Sequence, residues 1–190
     1  VFGGSAIIAG NTITLNGTDP LQVGRTGITV AQATADIPGG NNILNNAGQG
    51  VFVTRGSAQI GNPSFGFTTL NTISGNGSPT LTGGVSGFLA ASIVIRDAVI
   101  SGNQGYGVIL SMRSQAQIFS SQIQGNLAAG TNPGDGIRLV LGSSLLPSSA
   151  SSVSGNAGAG LTCFGDSAAV NIALLGSTGN GLPDTICNPF

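Results

Sequence analysis

The sequence predicts an all-β solenoid, a parallel β-helix of about six to eight coils with three short strands in each. Three observations predict it. A Gly-Asn or Asn-Asn pair recurs six times, ending at Asn46, Asn76, Asn103, Asn126, Asn156 and Asn180, at intervals of 30, 27, 23, 30 and 24 residues. Each pair is soon followed by a short apolar segment that opens on Gly50, Gly84, Gly107, Gly136, Gly160 or, without the glycine, Asp184. Charged residues make up 6% of the chain, against about 25% in ordinary soluble domains. Repeats of roughly 20 to 50 residues signal stacked supersecondary units. Stacking also accounts for the low charge. Equivalent positions lie directly over one another, where like charges repel while Ser, Thr, Asn and Gln bond along the stack.

Residues 1–45 fit this register poorly and are read as irregular N-terminal coils. Val1 to Leu21 form the first, and Gly27-Ile28-Thr29-Val30 opens the second. Residues 46–183 form the regular coils and 184–190 a C-terminal cap, all in one domain. Each regular coil begins with a strand such as Val51-Phe52-Val53-Thr54, Val108-Ile109-Leu110-Ser111, Ile137-Arg138-Leu139-Val140 or Leu161-Thr162-Cys163-Phe164. Side chains alternate between the faces of a strand, so the first and third of each four point inward. A small polar residue then marks a turn: Ser57, Ser114, Ser143 and Ser167, with Ser92 reached through one extra residue in the coil from Gly84. A second strand follows at 58–60, 93–95, 116–119 and 168–172. A third precedes each asparagine, at 72–73, 99–100, 122–123 and 152–153.

The asparagines sit where each coil must bend, and Asn tolerates the left-handed conformation better than most residues. Each amide also lies about 4.8 Å from its counterpart in the next coil. Asn46, Asn76, Asn103, Asn126, Asn156 and Asn180 are therefore expected to form an asparagine ladder. Extra residues at 62–65, 78–80 and 128–134 are expected to build loops on the solenoid surface.

Cys163 and Cys187 hold the same position in the last two coils. A strand spacing of about 4.8 Å suits a disulfide, whose Cα atoms lie roughly 4.4–6.8 Å apart. The alternative is two buried thiols in the core. A disulfide would place the protein in an oxidising compartment and pin the final coil, with Pro189-Phe190 folding over the open end.

Composition excludes several functions. Net charge is −1, so no electrostatic footprint for nucleic acid exists. No apolar run approaches a membrane span. Two cysteines without histidine make a zinc site a poor fit, and no metal or cofactor is expected. The chain begins at Val1, which fits a mature secreted protein whose leader was removed or a piece of a longer chain.

The segments Ile100-Ser101-Gly102-Asn103-Gln104-Gly105-Tyr106-Gly107-Val108 and Val153-Ser154-Gly155-Asn156-Ala157-Gly158-Ala159-Gly160-Leu161 resemble the right-handed parallel β-helix repeat of the pectin-lyase-like superfamily. The resemblance covers roughly residues 43 to 190 and implies a secreted β-helix. That superfamily holds lyases, hydrolases, epimerases, tailspikes, adhesins and proteins without known activity, and a fold does not carry a function. Its hydrolases pair aspartates with a nearby His and Lys, and this chain has neither. Asp135 and Asp184 fall two coils apart, roughly 10 Å, a loose fit to inverting chemistry. Its lyases use an Arg or Lys base with calcium, for which Arg138 is the one candidate. Asp166 aligns with Arg113 two coils earlier, which predicts a surface ion pair. Sugar sites favour exposed aromatics, of which Tyr106, Phe65, Phe67 and Phe88 are the candidates. Tyr106 and Arg138 are accordingly the candidate ligand-binding residues.

The expected function is a non-catalytic secreted or cell-surface structural solenoid: a stalk, adhesin segment or filament subunit whose partner is a second copy of itself. The alternative is a module that binds or modifies polysaccharide. Ice binding is a minor third reading, since the threonines recur at no single position.

Overall fold

Alternation of apolar and small polar residues produces, among the described residues, 21 strands of two to six residues. The structure is a computed structural model that describes all residues except 18–24, 62–65, 67–68, 81–82, 148, 170–172, 174 and 188–190. The strands pair with their equivalents one coil away rather than with sequence neighbours. The result is three parallel sheets of seven strands, each in coil order, with about seven coils in all. No helix among the described residues is long and apolar enough to cross a membrane.

Register makes the core a set of columns. In the first sheet Ile28, Val51, Val85, Val108, Ile137 and Leu161 stack in line. In the second, Ile37, Ile60, Ile95 and Ile118 do so. In the third, Ile43, Ile73, Ile100, Ile123 and Val153 do so. Nearly all are fully buried. β-branched side chains pack well on a pleated surface, and each contributes about 1.5–3 kcal/mol on burial.

The N-terminal segment is more regular than its sequence suggests. Ser5–Ile7 pairs in register with Thr34–Asp36, and Thr12–Thr14 with Asn42–Leu44. Ile28–Ala31 opens the first sheet, as expected from Gly27. The serine column also needs correction. Ser57 and Ser92 stand in line with each other and with Gln115 and Ser144. The buried column Ser114, Ser143 and Ser167 lies one position earlier. It is the coils from Gly27 and Gly50 that are one residue short, not the coil from Gly84 that is long. Their turn uses one left-handed residue, Gln32 or Arg55, where later coils use two. The loop expected at 62–65 and the packing of Pro189-Phe190 lie outside the described residues.

The asparagine ladder is present and longer than expected. Each amide nitrogen donates to the next carbonyl oxygen down the stack at 2.8–3.1 Å, from Asn16 through Asn46, Asn76, Asn103, Asn126 and Asn156 to Asn180. Each oxygen also accepts the backbone N–H of the asparagine above it. Its conformational role differs from the expectation. None of these asparagines has positive φ; the residue before it does, at Leu15, Asn45, Gly75, Gly102, Gly125, Gly155 and Gly179. The bend is made by that preceding residue, and the asparagine is free to spend its amide on hydrogen bonds.

A second ladder occupies another turn, where Asn11 and Asn41 donate to the next amide oxygen at 3.4 and 2.9 Å, ending at Asn71. Serines continue it: Ser121 accepts from Ala98 N, and Ser151 from Ser121 N.

Cys163 and Cys187 form a disulfide with Cα atoms 4.6 Å apart. The last strand, Thr185–Ile186, has only two paired residues, so the covalent bond does much of the holding. Closing a loop of this length contributes about 3 kcal/mol in the chain-entropy model. Cys163→Ser is expected to loosen this coil while sparing the middle of the solenoid. The check is hydrogen exchange at Leu161, whose amide donates to Asp184 O at 3.0 Å. Exchange there should accelerate by about a hundredfold with little change at Val108. Equal acceleration at both sites would contradict a local clamp.

Candidate functional site

Two places combine charge, aromatic or apolar side chains and access from solvent. The first holds both sequence candidates. Arg138 lies on the outer face of the first sheet, one strand from Tyr106. Its guanidinium carbon stands 5.2 Å from the Tyr106 ring centre and 4.5 Å from that of Phe164. Cations placed over aromatic faces are attracted by the ring quadrupole. Arg138 Nη1 also donates to Asp135 Oδ2 at 3.2 Å.

Asp135 is fully buried, and its two oxygens are well occupied. Oδ1 accepts from Ala159 N at 2.9 Å, and Oδ2 accepts from Thr162 Oγ1 at 2.9 Å besides Arg138. This is the pattern a buried carboxylate needs, and it makes Asp135 a cross-coil tie. Thr162, expected to face outward, is buried because it serves that carboxylate.

Tyr106 is nearly buried, and its hydroxyl donates to Asn132 Oδ1 at 2.7 Å. Asn132 belongs to the expected loop at 128–134, closed by a bridge between Ala129 and Asn132. Burial pushes the Tyr106 phenol above its usual value; the Arg138 charge pulls it down and the Asp135 charge pushes it up. The phenol therefore stays a neutral donor across the physiological range. Of this cluster the part nearest to solvent is Phe164 with the edge of the Arg138 side chain.

The remaining candidates fall elsewhere. Phe88 packs against Phe52 with ring centres 6.5 Å apart. Phe65 and Phe67 lie outside the described residues. Asp184 accepts from the Asn180 amide at 2.7 Å and so ends the asparagine ladder. The ion pair expected between Arg113 and Asp166 is not formed, because Arg113 aligns with Gly142 and Gly142 with Asp166, a full coil between the charges.

The second place was not found from sequence as a site. Turns between the first and second sheets stack into an open groove of about 1030 Å³, lined among others by Arg55, Leu89, Met112, Arg113, Leu141 and Asp166. Four successive turns each hold two adjacent residues in the left-handed region. These are Leu89 and Ala90 (φ 54° and 60°), Met112 and Arg113 (53° and 61°), Leu141 and Gly142 (56° and 73°), and Gly165 and Asp166 (57° and 56°). Such turns normally recruit Gly, Asn or Asp. The signal available in sequence was large apolar residues where a turn calls for small polar ones.

Residues 1–177 match a family model described as a right handed beta helix region. The match begins at the N-terminus, earlier than the resemblance drawn from the repeat at 43–190. Comparisons with curated proteins and with solved structures find no match. Three seven-stranded parallel sheets, a common register and a family match over residues 1–177 agree, and the chain belongs to the right-handed β-helix family.

Proposed function

We propose that this protein is a non-catalytic structural solenoid of the cell surface or extracellular space, serving as a stalk, adhesin segment or filament subunit. The observation that carries this reading is the use made of Asp135 and Arg138. The buried carboxylate is bonded to Ala159 N, Thr162 Oγ1 and Arg138, and the guanidinium is stacked between two rings. Groups that resemblance would assign to substrate are spent on joining coils. The polar ladders serve the same end, and the disulfide is suited to an oxidising compartment.

The experiment is a depolymerisation assay on neutral and acidic polysaccharides, read by new reducing ends and by unsaturated products. The expected result is no product from wild type. Product whose rate falls in Arg138→Ala, with the melting temperature unchanged, would overturn the reading and favour a polysaccharide-modifying module.

A further inference from the structure

The groove between the first and second sheets combines three features that are independent of one another. Its backbone is strained: a left-handed non-glycine residue costs roughly 1–2 kcal/mol, and such strain clusters at binding surfaces. Its apolar side chains are exposed, Met112 by 39% and Leu141 by 55%. Its charges are unspent, since neither Arg113 nor Asp166 forms an ion pair or side-chain hydrogen bond among the described residues.

We propose that this edge is an interface between two copies of the chain, lying side by side and antiparallel about a two-fold axis through the Leu141–Gly142 turn. The argument is the order of residues along one column. Backbone hydrogen bonds from Arg113 N to Leu141 O and from Gly142 N to Gly165 O put Arg113, Gly142 and Asp166 in line on three successive coils. The column reads cation, gap, anion, with its ends about 10 Å apart on the strand spacing. A two-fold contact requires that residue i meet j while j meets i.

Turning a second copy end for end about Gly142 sets Arg113 against the partner's Asp166, and Asp166 against the partner's Arg113. Leu141 then meets the partner's Leu141, and Met112 lies beside the partner's Gly165. Gly142 leaves the space between the two charge pairs free of side chains. A parallel arrangement would oppose Arg113 to the partner's Arg113, and like charges so placed are repelled. An acidic polymer is a poorer occupant, because Asp166 stands in the groove with the two arginines.

This inference rests on the structural reading above, since it makes a second copy the partner. The test is sedimentation equilibrium of the full chain across a concentration series, with circular dichroism to verify folding. Wild type is expected to dimerise, more weakly as salt rises. R113D and D166R should each weaken the dimer by about tenfold or more, because each opposes like charges. The double variant R113D/D166R should recover it to within about threefold of wild type, because the pair is restored with its signs exchanged.

A strictly monomeric wild type overturns the pairing, as does a dimer indifferent to R113D or one the double variant fails to recover. Those outcomes leave the structural reading untouched, since that reading falls only on release of polysaccharide products. Retention of wild type, but not R113D, on an acidic-polysaccharide column without dimerisation would overturn the pairing in favour of a polymer ligand.

Discussion

Asn103→Ala is expected to destabilise the protein by about 3–5 kcal/mol. Its amide is fully buried, accepts from Asn76 N and Asn76 Nδ2 at 3.0 Å each, and donates to Ile73 O at 3.0 Å and Asn126 Oδ1 at 3.1 Å. Alanine removes four hydrogen bonds and leaves their partners without access to water. Each buried polar group left unpaired costs roughly 1–3 kcal/mol. The lost side chain also breaks the chain of polarised amides at its middle. Asn42→Ala is the control: Asn42 is exposed on an outer strand face, and its loss should cost about 0.5 kcal/mol or less. Urea denaturation of both variants measures the difference. A cost near 1 kcal/mol for Asn103→Ala would mean the ladder decorates the turn rather than holding it.

Gly107→Ala is expected to cost about 3 kcal/mol or more, through space rather than conformation. A Cβ at this position would stand 2.5 Å from Ile123 Cγ2, 2.6 Å from Gly136 O and 2.7 Å from Asn126 Nδ2. Two of those three neighbours are the next glycine of the column and the next rung of the ladder. Gly50, Gly84 and Gly136 meet the same three kinds of atom, and none of them is at positive φ. Overpacking against backbone forces shifts that a rigid stack accommodates poorly. Gly102→Ala separates the two causes. Gly102 sits at φ 62° with its nearest atom at 3.7 Å, so only the left-handed penalty of roughly 1–2 kcal/mol applies. If Gly102→Ala proved the more damaging, the close-approach account of the glycine column would be wrong.

The two variants expose why the repeat was so legible. Gly-Asn spacing is visible along the chain because the same two demands, a left-handed bend and a ladder amide, recur in every coil. The sequence pattern does not say which residue meets which demand. Asn and Gly both tolerate positive φ, so the repeat alone points to the asparagine as the bend, and the dihedral angles place it one residue earlier. The second ladder was missed for a different reason. Asn11, Asn41 and Asn71 give way to Ala98, Ser121 and Ser151, and a column that changes residue type leaves no repeating letter to find.

The candidate site shows the same division. In sequence Tyr106 stands out only as an aromatic and Arg138 only as an outward arginine, and stacking brings them within 5.2 Å. Offset alone places Asp135 near Asp184, yet a neighbouring coil supplies the groups that bond it, Thr162 and Ala159. The Arg113–Asp166 alignment was correct, but the coil between them keeps the charges apart and leaves both to face outward.

What the sequence determined by itself was the solenoid, its inward columns, the main ladder and the proximity of the two cysteines. All of these are properties of a single coil repeated, and a short-range pattern is enough to encode them. What only the tertiary structure decided was which residues meet across coils: the burial of Asp135, the aromatic sandwich around Arg138 and the strained, open edge at Leu141. Register between coils depends on the length of each turn, and a turn shorter by one residue changes which sequence offset within its coil meets the neighbouring coil, while leaving the repeat itself intact.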